Sequence, residues 1–124
     1  MEKLANAIID KLKTSSLSNG KNIILFSDED IFPEAPYVVV KLESGTIARS
    51  RSIRIIVHHK QGQSDKLNDY TLRELDNLLL GGIDDDEGSR YILKANGYTD
   101  ITPSSTDDSY FMERFYLLPL PIGF

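Results

Sequence analysis

Cysteine is absent from this 124-residue chain, and no long apolar run is present. Without cysteine there is no disulfide scaffold, no thiolate zinc site and no thiol nucleophile. The longest apolar runs, at 23–26, 37–40 and 117–120, fall far short of the roughly 18 residues that a membrane-spanning helix needs. The first residues interleave charged and apolar side chains, so we expect neither an export signal nor a membrane partner.

Positive charge is scarce as well. The chain has 14 lysines and arginines against 19 aspartates and glutamates, and its formal net charge is −5. Such a field repels phosphate backbones, which argues against a general nucleic-acid binder. The acidic excess is concentrated at 84–87 and 107–108, whereas Arg49, Arg51 and Arg54 form a local basic cluster. One face can therefore be positive although the whole chain is acidic.

Residues that carry catalysis or bind metals are few and poorly spaced. The only histidines, His58 and His59, are adjacent on a predicted strand and point to opposite faces, so they cannot share a metal ion or a proton relay. No serine lies in a Gly-x-Ser-x-Gly elbow, and no glycine run has the spacing of a phosphate-binding loop. The acidic run 84–87 lacks the alternating ligands of a calcium loop and is interpreted as a solvated loop. We expect no enzyme, no cofactor and no metal.

Length and composition indicate one folded domain over residues 1–124. With 40% hydrophobic and 27% charged residues, the chain is too apolar for disorder, and its length suits a single core. Leu4, Ile8 and Leu12 recur every four residues and predict a helix over 2–13. A second leucine-rich helical pattern, capped by Ser64, runs from residue 65 to about residue 80.

The remaining segments read as strands. Residues 22–26 predict a short strand, and the β-branched segments 37–43 and 52–60 predict an antiparallel hairpin. Asn96-Gly97 suits a type I′ turn, so a second hairpin is predicted between 90–95 and 98–102. A last strand is predicted over 109–118. The predicted fold is α+β, in the order α-β-β-β-α-β-β-β, with two helices packed on one face of a mostly antiparallel sheet.

The connection between the two central strands is a first candidate for partner contacts. Residues 44–51 are more than a tight turn needs and carry Arg49 and Arg51, so they are interpreted as a projecting arm or, alternatively, as a solvated loop. Guanidinium groups bind carboxylates and phosphates through two parallel hydrogen bonds. We therefore count Arg49, Arg51 and Arg54 as candidate interface residues, with ordinary solvated arginine as the alternative.

The last predicted strand is a second candidate, because large apolar side chains occupy both of its faces. Such a strand is either buried on both sides within the monomer or completed by a partner chain. Aromatic residues, methionine and arginine are enriched at protein interfaces. Tyr110, Met112, Arg114 and Tyr116 are therefore candidate interface residues, and packing beneath a helix is the open alternative.

The chain resembles the tail terminator or tail-completion proteins of long-tailed bacteriophages. The likeness rests on Pro-Tyr-Val-Val-Val at 36–40 after an acidic loop, on Arg-Ser-Ile-Arg-Ile-Ile-Val-His-His at 51–59, and on the helix from residue 65. Glu-Arg-Phe-Tyr-Leu-Leu-Pro at 113–119 also resembles the closing strand of those proteins. The resemblance covers nearly the whole chain and implies a small α+β subunit.

That resemblance implies a structural role in the virion after assembly in the host cytoplasm. Such a subunit closes into a ring of about six copies on the finished tail tube, which requires two different matching surfaces on each copy. The ring ends tube growth and offers a surface to the head connector, while DNA passes through the lumen. The implied partners are further copies of the chain, the tail tube protein and the head connector. The ring hypothesis predicts that Arg49 and Arg51 changed to Glu, or Tyr116→Ala, weaken association more than folding.

Two other interpretations of the sequence stay open. One is a different neck or tail-tube subunit built on a related sheet, which would polymerise without limit. The other is a monomeric acidic module of the inhibitor type, whose clusters at 84–87 and 107–108 would mimic nucleic acid toward a basic partner.

Overall fold

The computed structural model describes residues 2–14, 22–25, 37–44, 50–59, 65–103 and 110–119. The helices and strands within these ranges are, in chain order, α1 (Glu2–Lys13), β1 (Asn22–Leu25), β2 (Tyr37–Ser44), β3 (Ser50–His59), α2 (Asp65–Leu79), β4 (Ile83–Asp84), β5 (Arg90–Tyr91), β6 (Lys94–Pro103) and β7 (Tyr110–Pro119).

Five of the strands form one sheet in the order β1-β2-β3-β7-β6. β1 runs parallel to β2, and every other neighbouring pair is antiparallel. The short strands β4 and β5 pair with each other as a separate hairpin. The fold is α+β, with two helices on one face of a mostly antiparallel sheet, as predicted, and the predicted hairpin of β2 and β3 is confirmed.

The core lies between the helices and one face of the sheet. Alternate residues of a strand point to opposite faces, so every second side chain of β2, β3 and β7 faces the helices. The predicted stripe of Leu4, Ile8 and Leu12 on α1 is fully buried, as are Leu75 and Leu79 on α2. Each such leucine contributes about 1.5–3 kcal/mol by leaving water. The sheet side of this core consists of Val38, Val40, Ile53, Ile55, Val57, Met112, Tyr116 and Leu118.

The predicted boundary of the third strand was wrong at its first residues. Arg51 was assigned to the connection, but it lies in β3, where it pairs with Ser44 of β2 and Leu118 of β7. Pairing with β7, and for Arg51 also with β2, holds Ser50 and Arg51 in the strand although their side chains carry little strand preference. Arg49 and the predicted arm lie outside the described residues, so the arm stays a prediction.

The predicted hairpin at Asn96-Gly97 was also wrong. β6 continues through both residues: Ala95 pairs with Tyr116 and Tyr98 with Arg114, so two residues of β6 oppose the single residue Phe115. This is a β-bulge, and Gly97 takes the left-handed conformation with φ of +98°. The tight turn in this part of the chain lies instead between β4 and β5, within the acidic run.

Gly97→Ala is expected to lower the free energy of unfolding by about 1 kcal/mol, because alanine is strained at positive φ. Steric crowding does not contribute, since no described atom lies within 4 Å of a Cβ built at Gly97. Gly81 is equally uncrowded and lacks a left-handed φ, so Gly81→Ala is the matched control. Urea unfolding of the two variants should show a loss only for Gly97→Ala, and equal stabilities would contradict the strained bulge.

Candidate assembly surface

The sheet presents a second face on the side away from the helices. We call the side chains of β2, β3 and β7 on that side the open face. Those of β3 and β7 are half-buried, whereas Tyr37 and Val39 on β2 are buried and are not available to a partner. By strand alternation and register the open face consists of Tyr37, Val39, Lys41, Glu43, Ser52, Arg54, Ile56, His58, Phe111, Glu113, Phe115 and Leu117.

An ion-pair network occupies the middle of the open face. Arg54 Nε lies 3.0 Å from Glu113 Oε2 and 3.8 Å from Glu43 Oε1, as ion pairs without hydrogen-bond geometry. Lys41 Nζ lies 3.7 Å from the same oxygen of Glu43. The guanidinium of Arg54 also lies over the ring of Phe115, 5.3 Å from its centroid. Half-exposed pairs of this kind stabilise the fold by at most about 1 kcal/mol each. Their main effect is to keep each charged side chain beside one of opposite charge.

Aromatic rings occupy one end of the open face. His58 stacks on Tyr37 with ring centroids 4.1 Å apart and an interplanar angle of 15°. On its other side His58 stacks on Phe111, with ring centroids 5.8 Å apart and an interplanar angle of 30°. The three rings belong to three adjacent strands and form a continuous aromatic band. His59 is buried on the opposite side of β3, so the two histidines point to opposite faces, as the alternation predicts.

For three of the seven candidate interface residues the structure favours the alternative of packing in the core. Met112, Arg114 and Tyr116 are buried in the monomer, beneath α2, and are not available to a partner. The alternation of β7 was recognised, but the composition of the wrong face was taken as an interface signal. The half-buried residues that sequence reasoning passed over are Phe111, Phe115 and Leu117, on the other face of the same strand.

The remaining candidates are distributed over both sides of the sheet. Arg54 lies at the centre of the open face. Arg51 and Tyr110 are half-buried, and strand alternation places them on the helix side at the two ends of the sheet. Arg49 lies outside the described residues. Of the six candidates that the structure describes, only Arg54 therefore lies on the open face.

A polar network fixes the buried face of β7 to α2. Arg114 donates two parallel hydrogen bonds to Asp76, from Nε to Oδ1 at 3.0 Å and from Nη2 to Oδ2 at 2.8 Å. The hydroxyl of Tyr116 donates to Asp76 Oδ1 at 2.7 Å, and Arg114 Nη1 donates to the carbonyl oxygen of Gly97 at 3.3 Å. Arg114 is 9% exposed and Tyr116 is 0% exposed. The network thus satisfies buried polar groups and joins α2, β7 and the bulge of β6.

Burial and hydrogen bonding change the ionisation of this network. Burial, followed by the hydrogen bond to Asp76, raises the pKa of Tyr116 far above its usual range. Burial alone would lower the pKa of Arg114, but its hydrogen bonds with Asp76 and Tyr116 outweigh burial and raise it. The folded chain therefore keeps a neutral phenol beside a charged guanidinium and a carboxylate.

The raised pKa of Tyr116 predicts a loss of stability in alkaline solution. Below the unfolded-state pKa of about 10, Tyr116 is protonated in both states, so its contribution is fully present. Above that pH the unfolded chain loses the proton and the folded chain does not, which lowers stability by up to about 1.4 kcal/mol per pH unit. Tyr116→Phe should lose about 1 kcal/mol at neutral pH but decline less steeply above pH of about 10. Urea unfolding across this range tests it, and parallel curves would contradict it.

The acidic run, predicted as a solvated loop, lies at the turn of a short hairpin, where Asp86 and Glu87 are exposed. We call β4, β5 and the residues between them the acidic hairpin, residues 83–91. Asp84 accepts two hydrogen bonds from Arg90, at 2.9 and 3.3 Å. Glu87 forms an ion pair with Lys3 of α1. The bonds from Arg90 hold the pKa of Asp84 below its usual value.

Asp85 organises the turn of the acidic hairpin. Its Oδ1 accepts the backbone N–H groups of Glu87 and Ser89, both at 2.9 Å, and its Oδ2 accepts the hydroxyl of Tyr91 at 2.9 Å. Desolvation raises the pKa of Asp85, but these hydrogen bonds outweigh it and the net shift is downward. Within the described ranges no group of three His, Asp or Glu side chains is placed to hold a metal ion.

Comparison with known proteins identifies the fold and no family. No protein-family model matches the chain, and no curated protein matches it. Twenty-one chains of known structure match it. One of them, whose name states no function, has a TM-score of 0.57 and 12% sequence identity over 98% of this chain and 94% of its own. None of the described helices is long and apolar enough to cross a membrane. At 12% identity the likeness shows that the α+β architecture recurs in another protein, over nearly the full length of both chains.

Proposed function

We propose that the chain is a structural bacteriophage protein that forms a ring on the end of the tail tube. The ring ends tube polymerisation and offers the surface that joins the tail to the head. The observation that carries this proposal is the open face: β7 fills the monomer core with one side and leaves Phe111, Phe115 and Leu117 half-buried on the other. A strand that is apolar on both sides but covered fully on only one is suited to a partner chain.

The composition of the open face supports a protein partner. Its charges already neutralise one another, because the two cations Arg54 and Lys41 lie beside the two carboxylates of Glu43 and Glu113. A partner can therefore cover this surface without leaving a single uncompensated charge. Mixed apolar and hydrogen-bonding surfaces of this kind are typical of protein–protein interfaces.

The proposed mechanism is steric and breaks no bond. Each copy binds its neighbours through two different surfaces, so a closed ring forms where the rotation between copies allows it. The ring occupies the growing end of the tube and removes the surface on which the next layer would assemble. Its partners are further copies of this chain, the tail tube protein and the head connector, and DNA passes through the lumen. The resemblance of the sequence to tail terminator proteins supports this role and a location in the virion.

Two alternatives make different predictions. A neck or tail-tube subunit of another kind would use the same open face but polymerise without limit. An acidic inhibitor-type module would stay monomeric and bind a basic partner. The ion pair of Asp84 with Arg90 lowers the excess of negative charge that the acidic hairpin could offer to such a partner from four to three. The second acidic cluster, 107–108, lies outside the described residues.

Tube growth in the presence of the chain tests the proposal. The tail tube protein of the same phage would be polymerised alone and with increasing amounts of this chain, and tube lengths measured by negative-stain electron microscopy. We expect shorter tubes with a ring at one end. Phe115→Asp, which changes the open face and leaves the core intact, should restore full length. Tubes of unchanged length at equimolar protein would contradict the capping role.

A further inference from the structure

We propose that neighbouring copies meet through a heterologous contact in which the open face of one copy binds the acidic hairpin of the next. The inference rests on the proposed assembly function and names the two surfaces that the assembly uses. Three observations carry it: the charges of the two surfaces, an exposed isoleucine beside the hairpin, and the positions of the surfaces on opposite sides of the chain.

The two surfaces differ in net charge. The central strands contribute Lys41, Arg54, Glu43 and Glu113 to the open face, and their charges cancel. Lys94 of the edge strand β6 pairs with Leu117 and therefore lies on the same side, which leaves an excess of one positive charge among these residues. The formal net charge of the whole chain is −5. These residues therefore repel a second, acidic copy less than the chain as a whole does.

The acidic hairpin supplies the complementary charge. It carries the four carboxylates of residues 84–87 and one cation, Arg90, an excess of three negative charges. Asp86 and Glu87 are exposed at its turn. A surface with this excess is repelled by another acidic hairpin and attracted by the open face. Complementary potentials of this kind select the partner surface and the register of the contact.

An apolar contact point adjoins the acidic hairpin. Ile92 follows β5 directly and is 54% exposed, the largest exposure among the large apolar side chains of the described ranges. Its Cδ1 would lie 3.2 Å from a Cβ built at Gly82, so the isoleucine packs over a glycine that only just leaves it space. An exposed isoleucine held in this way fits the half-buried Phe115 and Leu117 on the open face of a neighbour.

The fold excludes a contact between these surfaces within one chain. β4 packs against α1 and Lys3 of α1 pairs with Glu87, so the acidic hairpin lies on the helix side of the sheet. The open face is the other side. Each copy therefore offers one surface to each of two neighbours, which produces a ring if the rotation closes and a filament if it does not.

Mixing two variants tests the heterologous contact. Phe115→Asp adds a negative charge to the open face. Ile92→Asp replaces the apolar contact point with a carboxylate that the contact would bury against Phe115 and Leu117. Each variant alone should weaken self-association at least about tenfold. Tyr70→Asp, at an exposed position of α2 outside both surfaces, is the matched control and should assemble like the unmodified chain. Circular dichroism and urea unfolding establish that all three variants fold, and analytical ultracentrifugation measures association.

The mixture distinguishes the arrangements. An equimolar mixture of Phe115→Asp and Ile92→Asp keeps one intact contact, so it should give heterodimers and nothing larger. If copies instead met through two open faces, the Ile92→Asp variant would assemble normally and the mixture would contain no heterodimers. That result would overturn the inference but not the capping function. A chain that stays monomeric up to about millimolar protein concentration would also overturn the inference. Copies would then not bind one another in solution, and a ring could form only on the tube end.

Discussion

Tyr116→Ala is expected to lower the free energy of unfolding by about 3–5 kcal/mol, and not primarily to weaken association. The phenol side chain of Tyr116 is fully buried between β7 and α2, and its hydroxyl donates a hydrogen bond to Asp76 Oδ1 at 2.7 Å. Removing it leaves a cavity in the core and one acceptor of Asp76 without its donor. Urea unfolding of a monomeric sample at low concentration measures the loss directly. This reverses the expectation from sequence, which treated Tyr116 as an interface residue.

Phe115→Ala is the matched comparison, because the two residues are neighbours on β7 and point to opposite faces. Phe115 is half-buried under the guanidinium of Arg54, so its removal should cost only about 1 kcal/mol of folding free energy. Its association, measured by sedimentation, should fall by about tenfold. If both substitutions changed folding and association equally, the assignment of one face to the core and the other to a partner would be wrong.

Asp76→Ala is expected to destabilise the chain by about 2–4 kcal/mol, since it removes the acceptor for two buried donors at once. Arg114 is 9% exposed and loses both of its parallel hydrogen bonds, and the Tyr116 hydroxyl loses its partner. Arg73→Ala, an exposed position on the same helix, is the control and should change stability by no more than about 0.5 kcal/mol. Thermal and urea unfolding of the two variants provide the comparison.

The intermediate variant Asp76→Asn refines this result. Asparagine keeps one oxygen acceptor but has no charge, so its stability should lie between that of the unmodified chain and that of Asp76→Ala. A loss of less than about 1 kcal/mol for Asp76→Ala would mean that water replaces the carboxylate. The hydrogen bonds of this network would then contribute little to the attachment of α2 to the sheet.

Local patterns were enough to predict the helices and the central hairpin. The four-residue spacing of Leu4, Ile8 and Leu12 identified α1 to the residue, because helical periodicity depends only on near neighbours. The pairing of β2 with β3 follows from two adjacent β-branched segments. The bulge at Asn96-Gly97 could not be distinguished from a turn in this way, because both need a residue at positive φ. Pairing with β7, which comes later in the chain, decides between them.

The interface residues could not be predicted from local patterns either. Alternation separated the two faces of β7 correctly, but the sequence contains no local signal for which face a helix covers. Aromatic residues, methionine and arginine are typical of cores with polar anchors as well as of interfaces. The deciding partner of Arg114 and Tyr116 is Asp76, which precedes them by 38 and 40 positions. Its pairing with them follows from the packing of α2 on the sheet and from nothing in the adjacent sequence.

The mass of the chain in solution is the most direct test of ring assembly. Light scattering and native mass spectrometry would be recorded over a range of protein concentrations, with and without magnesium. Assembly through two matching surfaces predicts one closed species whose mass stops increasing with concentration. The resemblance to tail terminator proteins implies about six copies in that species. A mass that grows without limit, or a monomer at every concentration, would contradict a self-closing ring.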